Sequence, residues 1–414
     1  MKQLAKSHFT QLRWIGCMFA GLLTGTMFIS VTRPGGRYSP PAAAASDQNN
    51  RDGAIYNYYV SPEGKDSNDG SSDRPGATIQ HAAKMVQPGS TVHVAPGNYD
   101  EAIKTDISGT HLARIRFVSD KKWGAKIRSK GANSTWYNNG NYVDIMGFDV
   151  SGDGAEGITN NASFVRITGN HVHDIPAVGC TSQGGAGINN ENFSAHDNDV
   201  IDNFVHDIGP NLGTCWRVHG IYHANLRGHI LNNISFRNAS EGISTWHAAT
   251  QVVIANNTVF ANGGSGVLVG AGDAPGGVTN DSTVVVNNIC VNNRAYGVQE
   301  EGKTGTHNVY LDNLVYGNAR GGFQHRNGTR DLGTVTADPQ FVRYTGDGSG
   351  DYHLRASSPA INAGTSQDAP ATDFDGGTRP IGARLTIGAY AWGNTPAIWP
   401  FGDDPRSYRW SSRP

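Results

Sequence analysis

The sequence has few charged residues and no surplus of either sign. Of its 414 residues 16% are charged, and 33 Lys and Arg stand against 35 Asp and Glu, which gives a net charge of −2. Proteins that hold nucleic acid by its phosphates need a basic surface, so we expect no nucleic-acid partner. Cysteine is also scarce, with 4 residues, which excludes a disulfide-dense small scaffold. Dinucleotide-binding, P-loop and zinc-finger motifs are absent as well.

The first 45 residues have the pattern of a targeting segment. Lys2, Lys6 and Arg13 precede or begin an uncharged apolar stretch at 14–31, and small residues follow up to Ala45. This order is typical of a cleaved signal peptide. The alternative is an uncleaved N-terminal anchor, because the stretch is long. In either case we expect a secreted or extracytoplasmic protein (periplasm or cell envelope), with a membrane contact only if the segment stays uncleaved.

Glycine, with 54 residues, and asparagine are abundant in the rest of the chain. Both tolerate a left-handed backbone, which indicates many tight corners. One pattern recurs every 23 to 33 residues: an aliphatic residue, two others, an asparagine, one other and a small apolar residue. Repeats of this length indicate a solenoid. The copies centre on Gly147, Asn170, Asn203, Asn233, Asn257, Asn288 and Asn313.

A second pattern lies between the asparagines and consists of a glycine followed by an apolar residue that we expect to point inward. Two interleaved patterns with one period predict a parallel β-helix, whose strands stack about 4.8 Å apart. We expect each repeated asparagine to take a left-handed backbone and to bond to the asparagine of the next coil, because this satisfies its buried amide. The glycines are Gly157, Gly187, Gly220, Gly242, Gly266, Gly297 and Gly322.

The two ends of the solenoid differ from its middle. The run 78–86 has helical spacing and is expected to cap the N-terminal end, and an irregular segment starts near Ala337. We expect a monomer with four parts. These are a signal peptide or N-terminal anchor at 1–45, a parallel β-helix with its N-terminal cap at 55–333, a C-terminal capping segment at 334–395 and a surface tail at 396–414.

The ends also carry a resemblance to a known superfamily. Residues 59–62 (YVSP), 78–80 (TIQ) and 96–99 (PGNY) resemble the N-terminal cap of pectate-lyase-like β-helix proteins. Residues 373–376 (DFDG) and 387–390 (IGAY) resemble the C-terminal end of bacterial members. With the repeats, the resemblance covers about 55 to 392. It implies an all-β fold, a right-handed parallel β-helix (solenoid) with an N-terminal capping helix and an irregular C-terminal cap.

The resemblance also implies a polysaccharide substrate, acidic in many members. Many of them cleave acidic polysaccharides by β-elimination, while others are hydrolases, epimerases or binding proteins. The lyases with this type of cap use calcium held by an Asp cluster, together with a catalytic lysine. After Lys130 this chain has one lysine, Lys303, and no Asp cluster faces it in the repeats. The resemblance therefore transfers no catalytic residue; calcium stays open as a cofactor, and no other is indicated.

Residues suited to chemistry cluster on the middle coils. The repeat register puts His219 and Glu241 at equivalent positions of adjacent coils, about 5 Å apart along the axis. On other coils the same position holds a small residue, at Ala186, Ser265 and Gly321. We predict one groove lined by six catalytic candidates: Arg217, His219, Tyr222, His223, Glu241 and His247. The candidate substrate-binding residues are Trp216, Trp246, Gln299, Glu300 and Lys303.

These residues favour a lyase that cleaves a uronate-containing glycan. Elimination needs a cation that stabilises the negative charge developing on the substrate and a base that takes the proton. Arg217 is the candidate cation, and His219 or Tyr222 is the candidate base. The first alternative is an inverting glycoside hydrolase using Glu241 and Glu300, about 10 Å apart along the axis. The second is a non-catalytic glycan-binding or structural β-helix.

Two cysteines are placed to form a disulfide. Cys180 and Cys215 precede corner glycines of neighbouring coils, and an extracytoplasmic location permits a bridge between them. Cys290 takes the place of an inward valine, so we expect it to be reduced and buried in the core.

A histidine repeat raises the question of a metal. Val-His-Asp-Ile occurs at 172–175 and again at 205–208, which places His173 beside His206. We interpret this pair as a polar stack that the repeat encodes, with a divalent ion as the alternative. No metal is assigned from the sequence.

Overall fold

The structure, a computed structural model, describes residues 56–176, 184–210, 212–213, 215–380 and 384–397. These residues belong to one compact unit, 51–414. The predicted targeting segment at 1–45, Cys180 and most of the tail at 396–414 lie outside the described residues. In the part that is described, no helix has the length and apolar character needed to span a membrane.

Three parallel sheets form the described solenoid, because each full coil contributes one strand to each sheet. Sheet 1 has 11 strands: Tyr56–Val60, Ser90–Val94, Ile115–Ser119, Val143–Met146, Arg166–Thr168, His196–Ile201, Leu226–Leu231, Thr250–Ala255, Val284–Val286, Val309–Leu311 and Asp331–Leu332. Sheet 2 has 9: Ile103–Thr105, Ser134–Asn138, Glu156–Asn160, Gly185–Asn190, Val218–His223, Ile243–Thr245, Val267–Ala271, Tyr296–Gly302 and Gly321–Gln324. Sheet 3 also has 9: Gly97–Tyr99, Ala125–Ser129, Asp149–Gly152, His171–Ile175, Phe204–Ile208, Ile234–Phe236, Thr258–Phe260, Ile289–Val291 and Leu314–Tyr316.

The core consists of aliphatic side chains stacked from coil to coil. In sheet 1 the strand pairing aligns Ile145, Ile167, Val200, Ile230 and Ile254, all fully buried. Burial of such a column is what favours this register, since a shift of one residue would turn every side chain to the other face. The predicted all-β, right-handed parallel β-helix is confirmed.

The asparagine ladder forms at the corner between sheets 1 and 3. The Asn233 amide donates to Asn257 Oδ1 at 3.0 Å, and Asn203 donates to Asn233 Oδ1 at the same distance. The predicted coil-to-coil bonding is therefore confirmed. The predicted left-handed backbone of these asparagines is wrong, because the residue before each one makes the turn, as Asn232 does with φ 53°. The ladder residue's own N–H also bonds to the next amide oxygen, as in Asn233 N to Asn257 Oδ1 at 2.8 Å.

Two further ladders escaped the sequence patterns. One lies at the corner between sheets 3 and 2 and consists of Asn238, Asn262, Asn293 and Asn318. The other lies at the corner between sheets 2 and 1, where Asn138 donates to Asn160 and Asn160 to Asn190, each at 2.9 Å. This third ladder fixes the ends of the strands Ser134–Asn138, Glu156–Asn160 and Gly185–Asn190.

The ends of the solenoid are covered by non-repeating structure. The helix Ile79–Met85 begins at Thr78, whose side chain accepts from His81 N, and it buries Ile79, Ala82 and Ala83. Beyond the last coil, Phe341–Arg343 pairs antiparallel with Asp351–Leu354. This C-terminal segment packs along the outer face of sheet 3, where its residues share a buried cluster with Phe236 and Phe260.

Candidate active site

A cavity of about 1010 Å³ lies along the outer face of sheet 2. We call it the groove. Seven of the predicted site residues line it: Trp216, Arg217, His219, Tyr222, Glu241, Trp246 and His247. The rest of its lining includes Glu156, Ala186, Asn189, Glu191, Phe193, Ser244, Asp273 and Glu301. The groove thus contains five of the six residues predicted to line it, all but His223, together with two of the predicted substrate-binding residues. Their chemical roles stay predictions.

His219 and Glu241 form the central pair of the groove. Ile221 pairs with Ile243 in the sheet, so His219 and Glu241, two residues earlier, occupy equivalent positions of adjacent coils. His219 Nδ1 lies 3.0 Å from Glu241 Oε2, although its orientation is off-line for a hydrogen bond. Burial raises the pKa of the Glu241 carboxyl, but His219 and the hydroxyl of Ser240 outweigh it and hold that pKa below its ordinary value.

Glycine makes this close stacking of coils feasible. A Cβ at Gly220 would lie 2.4 Å from Ser235 Oγ and 2.6 Å from the carbonyl oxygen of Gly242. Any larger residue would push the two coils apart. The glycine that follows His219 and the glycine that follows Glu241 therefore keep the pair at contact distance.

Tyr222 forms the next wall of the groove. Its ring stacks on His219, with centroids 5.0 Å apart and planes at 11°. On its other side lies His247, edge-on at 6.1 Å. Burial and the nearby charge of Asp273 raise the pKa of the Tyr222 hydroxyl, so at neutral pH this group carries its proton.

His247 presents a neutral imidazole to the groove. Its Nδ1 lies 3.2 Å from the carbonyl oxygen of Gly272 and must be the donor, because a carbonyl only accepts. Burial lowers the pKa of His247 despite that hydrogen bond. The ring is packed against Phe193 at 4.2 Å, which fixes its orientation.

Aromatic and cationic side chains form the rim. Trp216 is 71% exposed, and the Arg217 guanidinium lies 4.2 Å from the centre of its ring. Trp246 is half-buried over a glycine-lined surface, where a Cβ at Gly270 would lie 2.6 Å from its ring. An exposed aromatic beside a cation is a surface that suits a sugar ring bearing a carboxylate.

The prediction that His223 lines the groove is wrong. Its side chain is fully buried and continues the third asparagine ladder, accepting from the Asn190 amide at Nδ1 over 3.2 Å. Its Nε2 donates to the carbonyl oxygen of Arg227, also at 3.2 Å. Burial lowers the pKa of His223 to about 4, so it is a neutral structural residue.

The structure also places Glu300 away from the groove, which removes the hydrolase built on Glu241 and Glu300. Glu300 is 1% exposed and accepts from Tyr310 Oη at 2.7 Å and Thr329 Oγ1 at 2.8 Å. Side chains alternate along a strand, so the neighbouring Glu301 is the one that lines the groove.

Two further substrate-binding candidates do not line the groove either. Gln299 is held by Ser265 Oγ at 2.5 Å and by Glu301 at 3.0 Å. Lys303 is exposed just after the strand that ends at Gly302.

Several polar residues of the groove were missed from the sequence, among them Glu156, Asn189 and Glu191. Glu156 stands in the same column as His219, because Glu156 pairs with Ala186 and Ala186 with His219. It accepts from Asn189 Nδ2 at 2.8 Å, and burial together with the charge of Glu156 raises the pKa of the neighbouring Glu191. The sequence does contain a signal for Glu156, because Glu-Gly-Ile occurs at 156–158 and again at 241–243.

The two predictions about cysteine have different outcomes. Cys290 is a free, fully buried cysteine, as predicted. Cys215 is buried at 1% exposure, and Cys180 lies outside the described residues, so their bridge stays a prediction.

Potential metal ligands gather on sheet 3. Within the described ranges, the one group of three or more such residues with ligand atoms close together is Asp149, His171 and His173, whose atoms lie within 4.8 Å of one another. Calcium as a cofactor stays an open expectation.

Two solved structures of known proteins align with much of this chain. The crystal structure of pectate lyase Pel9A aligns over 82% of this chain and 97% of its own, with 18% identity and a TM-score of 0.58. An alginate lyase from Paenibacillus sp. str. FPU-7 aligns over 63% of this chain and 95% of its own, with 19% identity and a TM-score of 0.46.

The sequence comparisons identify the family of the chain. Protein YwoF of Bacillus subtilis (strain 168), which is uncharacterized, is 28% identical over 171 residues, or 41% of this chain and 29% of that protein. The alignment thus spans less than a third of that relative's length. The family described as "Pel9A-like, right handed beta helix region" matches residues 58–331. With three parallel sheets formed over the same residues, the chain belongs to the Pel9A-like family of right-handed β-helix proteins.

Proposed function

We propose that this protein is a polysaccharide lyase that cleaves a uronate-containing glycan by β-elimination. The observation that carries the proposal is the His219–Glu241 pair in a groove that also holds Arg217 and Tyr222. The structural relative Pel9A is a pectate lyase, which supports an acidic polysaccharide as the substrate class. In the proposed reaction the C5 proton leaves to a base, the C4–O4 bond breaks, a C4–C5 double bond forms and the leaving oxygen gains a proton.

Arg217 is proposed to hold the uronate carboxylate. A guanidinium binds a carboxylate through two parallel hydrogen bonds, and it stabilises the negative charge that develops as C5 loses its proton. The Trp216 ring beside it offers a flat apolar surface for the sugar. Asp273, Glu191 and Glu301 also line the groove, and their charges favour a substrate whose carboxylate sits at the arginine end.

His219 is proposed as the base. Its Nδ1 faces Glu241 at 3.0 Å, which leaves Nε2 as the nitrogen that accepts the substrate proton. Glu241 is ionised over the neutral range because its pKa is lowered. It therefore stabilises the imidazolium that forms and positions the ring.

Tyr222 is proposed as the proton donor to the leaving oxygen rather than as the base. Its raised pKa keeps the phenol protonated, and its ring lies in contact with the ring of His219. Acid and base are thus adjacent side chains of one strand, Val218–His223, on the same side of the bound substrate.

The test is incubation of the purified protein with a panel of acidic and neutral polysaccharides. Growth of the ultraviolet absorbance of unsaturated uronates is the result we expect. New reducing ends without that absorbance would show hydrolysis instead, and binding without any cleavage would show a glycan-binding protein. Either of these two outcomes would overturn the proposal.

A further inference from the structure

We propose that Asp149, His171 and His173 form a zinc site on sheet 3. The site is independent of the proposed lyase activity. The ligand atoms of these three residues lie within 4.8 Å of one another, and the residues belong to two successive coils, since His171 pairs with Asp149 in the sheet. A metal ion bound there would link the two coils.

The contacts among these side chains leave lone pairs facing each other. His171 Nδ1 lies 2.8 Å from Asp149 Oδ2, and His206 Nδ1 lies 2.7 Å from Asp207 Oδ2. Each of these nitrogens must be the donor, because an ionised carboxylate only accepts. In neutral rings the two Nε2 atoms are then both acceptors, yet they lie 2.8 Å apart.

The same conflict occurs at His173. Its Nδ1 lies 2.9 Å from Asp174 Oδ2 and its Nε2 lies 3.2 Å from Asp149 Oδ1. Both partners are carboxylate oxygens, so a neutral ring satisfies one of them and leaves the other contact between two acceptors. In total the cluster requires two additional positive charges. One divalent cation held by His171 Nδ1, His173 Nε2 and Asp149 would supply both. His171 Nε2 would then carry a proton and donate it to His206 Nε2.

The donor set and its surroundings favour zinc. Imidazole nitrogens bind zinc well, whereas calcium and magnesium prefer oxygen ligands alone. Two histidines and one carboxylate supply three ligands of a tetrahedral shell, which water completes and whose neighbouring ligand atoms stand about 3.3 Å apart. The contacts from His171 Nδ1 and His173 Nε2 to Asp149, at 2.8 and 3.2 Å, are within roughly half an ångström of that separation.

A second layer already orients the rings. Asp174 holds the outer nitrogen of His173, which is the carboxylate–histidine–metal arrangement common at zinc sites. His206 faces the outer nitrogen of His171 at 2.8 Å, and Trp123 packs on His171 at 5.0 Å. The three proposed ligand side chains are 16% to 19% exposed, so an ion has access to a site with little surrounding water.

The experiment is a zinc titration of the full protein after treatment with a chelator, followed by calorimetry and by the melting temperature. We expect one zinc ion per chain and a higher melting temperature. Cobalt in its place should give the visible absorption of a tetrahedral site. Calcium should produce neither the heat of binding nor that stabilisation at the cluster.

Matched variants separate this site from other histidines. His173→Ala and Asp174→Asn should weaken zinc binding by at least about 10-fold. His229→Ala should leave binding unchanged, because His229 faces Asp199 at 2.8 Å on sheet 1 but lies outside the cluster. Folding of each variant is checked by circular dichroism. Folded wild type that binds no zinc, or zinc affinity unaffected by both cluster variants, would overturn the proposal.

Discussion

Two of the side-chain columns that run along this solenoid differ in how much their residues vary. The ladder between sheets 1 and 3 has asparagine at six successive positions, from Asn170 to Asn313. The groove column of sheet 2 reads Glu156, Ala186, His219, Glu241 and, by register, Ser265. Both consist of side chains stacked coil on coil, but only the second changes its chemistry from coil to coil.

The surroundings of the two columns explain the difference. The ladder asparagines are fully buried, so each amide must find its partner in the neighbouring coil. A different residue at one rung would leave polar groups of two coils unpaired. The groove column borders a cavity of about 1010 Å³, where water or a ligand satisfies polar groups. A polar residue that repeats at every coil therefore indicates structural stacking. A position at which the residue type changes from coil to coil indicates a candidate functional residue.

The largest effect is expected from His219→Ala. Loss of the proposed base should lower turnover on a uronate glycan by on the order of 10² or more, without a change in fold. The measurement is the initial rate of the ultraviolet absorbance increase. His229→Ala is the matched control, because that histidine also faces a carboxylate but stands on sheet 1. A rate for His219→Ala equal to that of the control would remove His219 from the mechanism.

Asn233→Ala should destabilise the fold by about 2 kcal/mol, because it leaves buried groups without partners. These groups are the backbone N–H and amide of Asn203 and the carbonyl oxygen of Val200. Chemical denaturation gives the free energy of unfolding. The exposed Asn133 provides the control, and Asn133→Ala should have no measurable effect. Equal stability of the two variants would contradict the structural role of the ladder.

Glu241→Gln should reduce turnover by about 10-fold, a smaller loss than that of His219→Ala, since it removes a positioning charge and keeps the base. Glu241→Asp should recover part of the rate, because it restores the charge. Steady-state kinetics should show the loss in kcat rather than in KM. If Glu241→Asp is as slow as Glu241→Gln, the charge of Glu241 has no role in turnover.

The smallest effect concerns a partly exposed pair outside both columns. A hydrogen bond to Asp375 and a second one to Asp351 raise the pKa of His353 to about 9, against the opposing effect of burial. Because the folded pKa is raised, the stabilisation is complete below pH 6.5 or so and is lost as the pH rises through about 9. With the side chain 47% exposed, we expect a loss of about 1 kcal/mol after solvent screening.

Unfolding measured at pH 6 and at pH 10 on wild type and His353→Gln tests this expectation. The difference in stability between the two proteins should shrink at the higher pH. A constant difference would show that the contact contributes through packing alone.

The fold and the centre of the groove could be predicted from the sequence, because both depend on register, and glycine and asparagine mark the register. The wrong site predictions concern positions where a shift of one residue decides which face of the sheet a side chain occupies. Glu300 points inward and Glu301 points into the groove. To predict this, one must know which residues of the strand point inward after the chain has turned the corner. His223 was predicted to be catalytic because of its residue type, but its position in the sheet matches that of Asn190 in a ladder.

The most direct test measures turnover and the free energy of unfolding on the same preparations of His219→Ala and Asn233→Ala. The account predicts that His219→Ala loses on the order of 10² in rate and little stability. It predicts that Asn233→Ala loses about 2 kcal/mol of stability and keeps its rate at a temperature where it is folded. If the two variants lose rate and stability in the same proportion, the distinction between a repeated structural column and a broken functional one is wrong.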